Sequence, residues 1–501
     1  MAAKDNKLGF VVTGLLLAIL MSAMDNTIVA TSMGTIVADL GGFDKFVWVT
    51  SAYLVTVMAG TPIFGKLSDM YGRKRFFIFG LIVFLFGSIL CGTANTITQL
   101  SIYRAIQGVG GGALMPIAFT IVFDIFPPEK RGKMTGLFGA VFGTSSLFGP
   151  LLGAYISEYV GWHWVFFINV PIGIFSFSLI FFFYKESLQH KSQKIDWWGA
   201  FTLVGAVICL MFALELGGNQ YAWDSIVIIG LFSLFTAFFI IFLFVETKAS
   251  EPIISFQMFK SRLFATSNAI GFFYGATFII ATIYIPIFVQ GVFGGTATNS
   301  GLILTPMMLG SVFGSQSGGL MTTRTSYRNI MILSGVFFVT GIFLLSTLSP
   351  DTSRLIVTIF MIITGFGVGF SFSTLSMSAI HNFDMRKRGA ATSSITFFRS
   401  LGMTLGITIY GIIQRNLFAN KLSNEFAGIE NGNQFGSSRE LLSPESRKEI
   451  PAPVLEKITN ALSSSIAQTF MWALIPALLA VVFIFLMSKE RIHIPAEKAN
   501  S

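Results

Sequence analysis

An all-α, polytopic membrane protein is predicted by three features of this chain. Hydrophobic residues make up 53% of its 501 residues and charged residues only 11%, against about 25% charged in a soluble domain. Apolar runs of roughly 20 residues, long enough to cross a bilayer as a helix, recur from end to end. The basic residues collect in alternate short loops, the pattern of Lys and Arg retained on the cytoplasmic side. The formal charge of +9 therefore reports topology, and no nucleic-acid partner is expected; the lipid bilayer is the chain's environment.

Fourteen spans are read in order near 8–30, 46–65, 76–94, 98–121, 133–157, 165–184, 197–217, 225–245, 263–290, 300–321, 330–348, 355–379, 393–416 and 467–487. The first follows Lys4 and Lys7 and is too long for a signal core, with no small-residue cleavage pattern. Cys91 and Cys209 fall in the third and seventh spans, so neither a disulfide framework nor a metal site is expected. One set of loops holds Lys66, Arg73, Lys74, Arg75, Lys130, Arg131, Lys133, Lys185, Lys191, Lys194, Lys248, Lys260, Arg262, Arg324, Arg328, Arg386, Lys387 and Arg388. The opposite short loops hold only Lys45 and Arg354. Both termini are then cytoplasmic, and the long polar segment 417–466 is external.

The chain also repeats itself. At an offset of 257, Gly108, Gly110 and Gly112 superimpose on Gly365, Gly367 and Gly369, and Lys130, Arg131 and Gly132 on Lys387, Arg388 and Gly389. Thr135 then meets Thr392, and Gly149 meets Gly406. Two parallel six-helix halves follow, spans one to six (1–190) and nine to fourteen (251–501), with spans seven and eight (191–250) as an inserted pair. Halves of this kind are related by an axis along the membrane normal and bind substrate near midplane between them.

Asp25 lies alone in the first span. A carboxylate at that depth costs a few kcal/mol to keep ionised, so it is paired, hydrated or protonated for a purpose. Arg104 and Gln107 lie one turn apart in the fourth span, and an arginine there faces the bundle interior. It serves either as a structural strut or as a partner that raises the ionised fraction of Asp25 on approach and releases it on parting. Glu215, near the outer end of the seventh span, is either an exposed helix-end residue or a second proton or cation site. Asp39, Asp124, Asp196 and Asp224 read as interfacial, and the second half holds Arg399 but no carboxylate placed firmly within a span. Arg399 either snorkels from near the cytoplasmic end or contacts an anionic group. His163, beside two tryptophans, reads as structural.

After the second span comes Gly65-Lys-Leu-Ser-Asp69-Met-Tyr-Gly72-Arg73-Lys74-Arg75. Asp69 stands at a helix end, where it can accept bonds from a helix N-terminus and from cations; the plainer reading is a solvated topogenic turn. Its counterpart, Gly318-Gly-Leu-Met-Thr322, has Thr in place of the acid. The fifth span carries Gly143, Gly149, Pro150 and Gly153, small residues that allow close helix packing and a proline that opens a kink. The external turn Trp162-His-Trp-Val-Phe-Phe-Ile-Asn169-Val-Pro171-Ile-Gly173 and the run Glu215-Leu-Gly217 complete the set.

Together these motifs resemble the major facilitator superfamily, and within it the fourteen-span drug:proton antiporters that include exporters of quaternary ammonium compounds. The resemblance covers essentially the whole chain except 417–466. It implies the major facilitator fold and a cytoplasmic gate at Gly65, Asp69, Gly72, Arg73 and Arg131. It also implies an antiporter motif at Gly143, Gly149, Pro150 and Gly153, and proton coupling through Asp25 and Arg104, with Glu215 as a further candidate. Some dication exporters of this subfamily use acids in the second half, so their absence favours monovalent or zwitterionic substrates. Asp25, Glu215, Gln107, Tyr274, Tyr284 and Met307 are candidate substrate contacts, since cations favour aromatic faces and methionine adapts to varied shapes; Phe272, Phe273 and Met308 join them.

The expected function is proton-coupled export of amphipathic, cationic or zwitterionic compounds by a functional monomer in a bacterial cytoplasmic membrane. No phosphate loop, metal cluster or nucleophile constellation appears, so neither enzyme activity nor a cofactor is expected, and the proton motive force supplies the drive. The first alternative is a proton-driven exporter or flippase of lipid or lipid-linked molecules; the second is a non-transporting membrane sensor.

Overall fold

The computed structural model describes residues 2–41, 47–186, 195–218, 220–294, 303–425 and 451–491. Among them are fifteen α-helices and no β-strand. They are α1 (Ala2–Leu40), α2 (Val47–Tyr71), α3 (Arg73–Gly92), α4 (Ile97–Ile125), α5 (Pro128–Tyr159), α6 (Trp164–Phe167), α7 (Asn169–Phe183), α8 (Trp197–Leu216) and α9 (Ile226–Lys248). They continue as α10 (Arg262–Gly291), α11 (Leu304–Met321), α12 (Tyr327–Leu345), α13 (Arg354–Ile380), α14 (Arg388–Glu425) and α15 (Ala452–Leu486). An all-helical answer is what lipid demands, since helices satisfy every backbone N–H and C=O within one segment.

Each expected span falls on helix, and one expected boundary differs. Among the described residues twelve segments are long and apolar enough to cross a membrane; the fifth and tenth expected spans fall on α5 and α11, the latter rich in Gly and Ser. The sixth span comprises α6 and α7, with Ile168 between them in a helical conformation and its N–H bonded to Trp164 O, so that Trp164–Phe183 is one apolar segment. The expected external segment 417–466 is shorter than read: α14 runs on to Glu425 and α15 begins at Ala452. Residues 426–450 lie outside the described residues, as do Lys191 and Lys194.

The described residues divide into two compact units. One comprises Met1–Asn268 with Leu375–Phe398, the other Ala269–Thr374 with Arg399–Arg491. The inserted helices α8 and α9 belong to the first, where α8 packs on α2 and Trp48 meets Phe212 edge-on at 4.8 Å.

The internal repeat is visible as backbone-to-backbone packing. In the first unit, a Cβ on Gly108 or Gly112 would strike the carbonyls of Tyr53 or Val57 on α2, while one on Gly110 would strike α3 at Gly80 O and Phe84 N. In the second unit, Gly365 and Gly369 abut Met307 and Ser311 on α11, while Gly367 abuts Phe338 on α12. Alternate glycines thus let α4, and equally α13, press on two neighbours at once. Gly149 and Gly153 bring α5 against α1 at Thr27 and Ile28, just as Gly402 and Gly406 bring α14 against α10 at Phe272 and Ala276. Close approach through small residues is how helices associate where water cannot drive them together.

A side chain at Gly110 should therefore be costly. Gly110→Val, 2.5 Å from Gly80 O, is expected to destabilise by about 1–3 kcal/mol through overpacking and to lower the melting temperature in detergent. Gly411→Ala, with no atom within 4 Å of the new methyl, should leave it unchanged or raised.

Candidate functional site

Asp25, Arg104 and Gln107, on α1 and α4, meet in one buried cluster of the first unit. The Arg104 guanidinium pairs with Asp25 Oδ2. Arg104 Nη1 also donates to Gln107 Oε1 at 2.8 Å, and Gln107 Nε2 donates to Asp25 Oδ1 at 2.9 Å. The one-turn spacing of Arg104 and Gln107 puts both on the face that meets α1. Arg104 Nε donates to Val49 O at 3.3 Å, and the guanidinium lies 4.1 Å from the centroid of the Tyr53 ring.

Three members were not assigned a role from sequence. Asn169, at the start of α7, donates to Asp25 Oδ1 and to Ser88 Oγ, both at 3.0 Å. Ser88 on α3 also accepts from Gln107 at 3.3 Å and donates to Phe166 O at 2.9 Å. Asn169 stands in the quoted turn motif, and that place was the signal available in the sequence. Ser88 and Tyr53 carry none among so many apolar neighbours. Two polar atoms of the cluster, Arg104 Nη2 and Asn169 Oδ1, are buried without a partner.

Glu215 lies elsewhere. It hydrogen bonds to Ser51 on α2, and Ser51 is two residues from both Val49 and Tyr53, the α2 positions that hold Arg104. Residues two apart lie on different sides of a helix, so α2 stands between Glu215 and the Asp25 cluster.

The second cluster surrounds Asp69 at the end of α2. Its carboxylate accepts from Gly389 N at 2.8 Å and Ala390 N at 2.7 Å, the first turn of α14, and pairs with Arg73. Unpaired N–H groups at a helix start and the dipole behind them make this an anion site by construction. Arg73 Nε pairs with Asp124 Oδ2 at 3.1 Å, Arg388 Nη1 pairs with Asp124 Oδ1 at 3.0 Å, and Arg73 Nη2 donates to Met385 O at 2.7 Å. Gly65 lets α2 touch α14 beside Ser393 and Gly389. Gly72 has a φ of 117°, a left-handed conformation that favours glycine. Arg131 lies away from the Asp69 carboxylate and donates to Phe126 O at 3.0 Å. Thr322, in the position equivalent to Asp69, turns its hydroxyl to Gly319 O at 2.6 Å in its own helix.

Gly149 and Gly153 face α1 around Thr27, whose hydroxyl donates to Ser145 O at 3.2 Å. Helix α5 runs unbroken through Pro150, and the surroundings of Gly143 lie outside the described residues. Tyr274 is buried in the second unit, bonded to Ser334 Oγ at 3.0 Å and stacked on Phe338 at 4.4 Å. Met307 is buried where α11 meets Gly365, and Tyr284 is buried too. His163 stacks on Trp162 at 3.9 Å, and Trp162 Nε1 donates to Asp39 at 2.7 Å, tying that turn to the end of α1.

This arrangement of buried charges on glycine-packed, repeated helices agrees with the sequence comparison. Residues 15–197 and 189–407 match the Major Facilitator Superfamily. The chain belongs to this superfamily. It is accordingly a multi-pass membrane transporter. It is 59% identical to multidrug resistance protein 3 of Bacillus subtilis (strain 168), over 99% of each chain. It is 39% identical to the multidrug transporter protein MdtP of the same organism, over 92% of this chain and 89% of that one. Among solved structures it shares its fold with the proton:xylose symporter XylE, at a TM-score of 0.61 and 12% identity, covering 96% of each chain. The human organic anion transporter MFSD10 matches at a TM-score of 0.60 and 13% identity, covering 93% of this chain and 99% of that one.

Removing one partner of the Asp25–Arg104 pair should destabilise more than removing both. Asp25→Asn strands a buried guanidinium and is expected to cost about 3–5 kcal/mol, read as a lower melting temperature in detergent; Asp25→Asn with Arg104→Gln should recover most of it. At the second cluster, Asp69→Asn removes the charge that faces Arg73 and the start of α14. A cysteine placed at Ser393 should then react roughly tenfold faster with a maleimide, the value of one charge-assisted bond.

Proposed function

We propose that this transporter is a proton-driven multidrug exporter of fourteen spans with both termini cytoplasmic. On this reading it takes amphipathic compounds bearing a single positive charge or both charges. The observation that carries the reading is the buried Asp25 carboxylate, held by Arg104, Gln107 and Asn169. The kinship with multidrug resistance protein 3 and MdtP supports the substrate class.

The cycle is a competition. With Asp25 ionised, its charge is spent on Arg104; a proton on Asp25 weakens that pair and frees Arg104 from α1. Gln107 and Asn169 can bond either form of the carboxyl, because each amide carries both donors and an acceptor, so the change of charge need not leave the site unsatisfied. Asp69, clasped by the first turn of α14, holds the cytoplasmic ends of α2 and α14 together in the conformation observed. Release of that clasp opens the inner side. Proton and substrate are coupled only so far as each prefers a different conformation.

The experiment is proton movement in vesicles containing the purified chain. Under an imposed pH gradient, tetraphenylphosphonium should collapse the gradient with wild type and fail to do so with Asp25→Asn, while Asp25→Glu retains part of the response. A collapse that survives Asp25→Asn but not Glu215→Gln would transfer the proton to Glu215. No collapse with any hydrophobic cation would defeat the export reading.

A further inference from the structure

Arg399 is the counterpart, in the second unit, of a problem that the first unit solves with Asp25. It lies in α14, eleven residues from Arg388, where the helix begins. At 1.5 Å per residue this is about 16 Å along the helix, inside the apolar segment Met385–Glu425. Its stem is pressed against α10: a Cβ on Gly275 would strike Arg399 O and come within 3.3 Å of Arg399 Cγ. The residues that seat α14 on α10, Gly402 and Gly406, follow on the same side.

The guanidinium is held by an aromatic face and by no carboxylate. Arg399 Cζ is 4.6 Å from the centroid of the Phe372 ring, and Phe278 stands perpendicular to that ring at 6.3 Å. Arg399 Nη2 is buried with no hydrogen-bond partner, and no ion pair to Arg399 occurs among the described residues. The described carboxylates of the second unit, Asp351, Glu425, Glu456 and Glu490, all lie at helix ends or in loops. A cation at this depth is expensive unless something neutralises it. Stacking on an aromatic ring uses the flat face of a guanidinium and leaves its edge N–H groups free, and that edge matches a carboxylate with two parallel bonds.

We infer that Arg399 is the binding point for an anionic group, a carboxylate foremost, on amphipathic substrates, with Phe372 and Phe278 receiving the apolar ring beside it. The inference rests on the export reading, gives its zwitterionic substrates a contact for their anion, and extends the class to anionic amphiphiles. The substrate's anion does for Arg399 what Asp25 does for Arg104.

A matched pair of dyes separates the two ideas. Rhodamine B carries a free carboxylate, and its ethyl ester is the same ring system as a plain cation. Binding of each to the purified full-length chain in lipid nanodiscs is followed by fluorescence anisotropy, for wild type, Arg399→Gln and Arg399→Lys. Arg399→Gln should weaken rhodamine B by about tenfold or more while moving the ester by less than about twofold, with Arg399→Lys between, since a lysine supplies charge but no fork. Unchanged rhodamine B binding in Arg399→Gln, or an equal loss of both dyes, would overturn the inference. Ester-driven proton movement in vesicles tests the export reading independently: if wild type shows it while rhodamine B ignores Arg399, only this inference falls. If wild type binds neither dye and moves no protons, both fall.

Discussion

A carboxylate and a guanidinium sealed away from water must neutralise each other, and in the first unit that constraint organises five helices. Asp25 and Arg104 come from α1 and α4, yet neither could be buried without the others that complete their bonding. Val49 O and the Tyr53 ring come from α2, Ser88 from α3 and Asn169 from α7. Each added partner lowers the cost of holding charge in a poor dielectric, and each also fixes the spacing of its helix. The cluster is therefore both a site and a clamp, so activity measured after changing Asp25 must be judged beside the stability of the same variant.

Glycine makes those approaches possible. In α4, Gly108 and Gly112 meet α2 while Gly110 meets α3, which carries the backbone of α4 close enough for Arg104 and Gln107 to reach both Val49 and Ser88. The same device at Gly365, Gly367 and Gly369 builds the matching layer of the second unit, where Arg399 has no ion pair among the described residues. Packing was repeated and the charge chemistry was not, which separates what the repeat does for folding from what particular residues do for transport.

Much of this was legible in the chain. Alternating Lys and Arg loops, the offset of 257 and the Asp69 motif anticipated helix order, repeated packing and a carboxylate at a helix start. The approach of Arg104 to Asp25 followed from the rarity of charge in apolar runs, whereas the bond from Gln107 to Asp25 did not. What failed had physical causes. The helical reach of α14 and α15 into 417–466 was masked by their polar composition beyond the apolar runs. Asn169 was quoted as part of a motif but not given a role, because so apolar a run does not show which face of α7 turns inward. Glu215, read as a separate candidate near the outer end of the seventh span, bonds to Ser51 on α2.

The two units thus differ most where charge is concerned. In the first, every deeply buried basic group named here answers to an acid of the same unit: Arg104 to Asp25, and Arg73 to Asp69 and Asp124. In the second, Thr322 replaces the motif acid and bonds within its own helix, and Arg399 rests on an aromatic ring. The transporter thus divides its electrostatics, with a neutralised buried pair in one repeat and a guanidinium without an acid partner in the other. Because both repeats share one packing scheme, such a division can be altered by single side chains without rebuilding the bundle, and relatives with this fold can differ in the charge they carry.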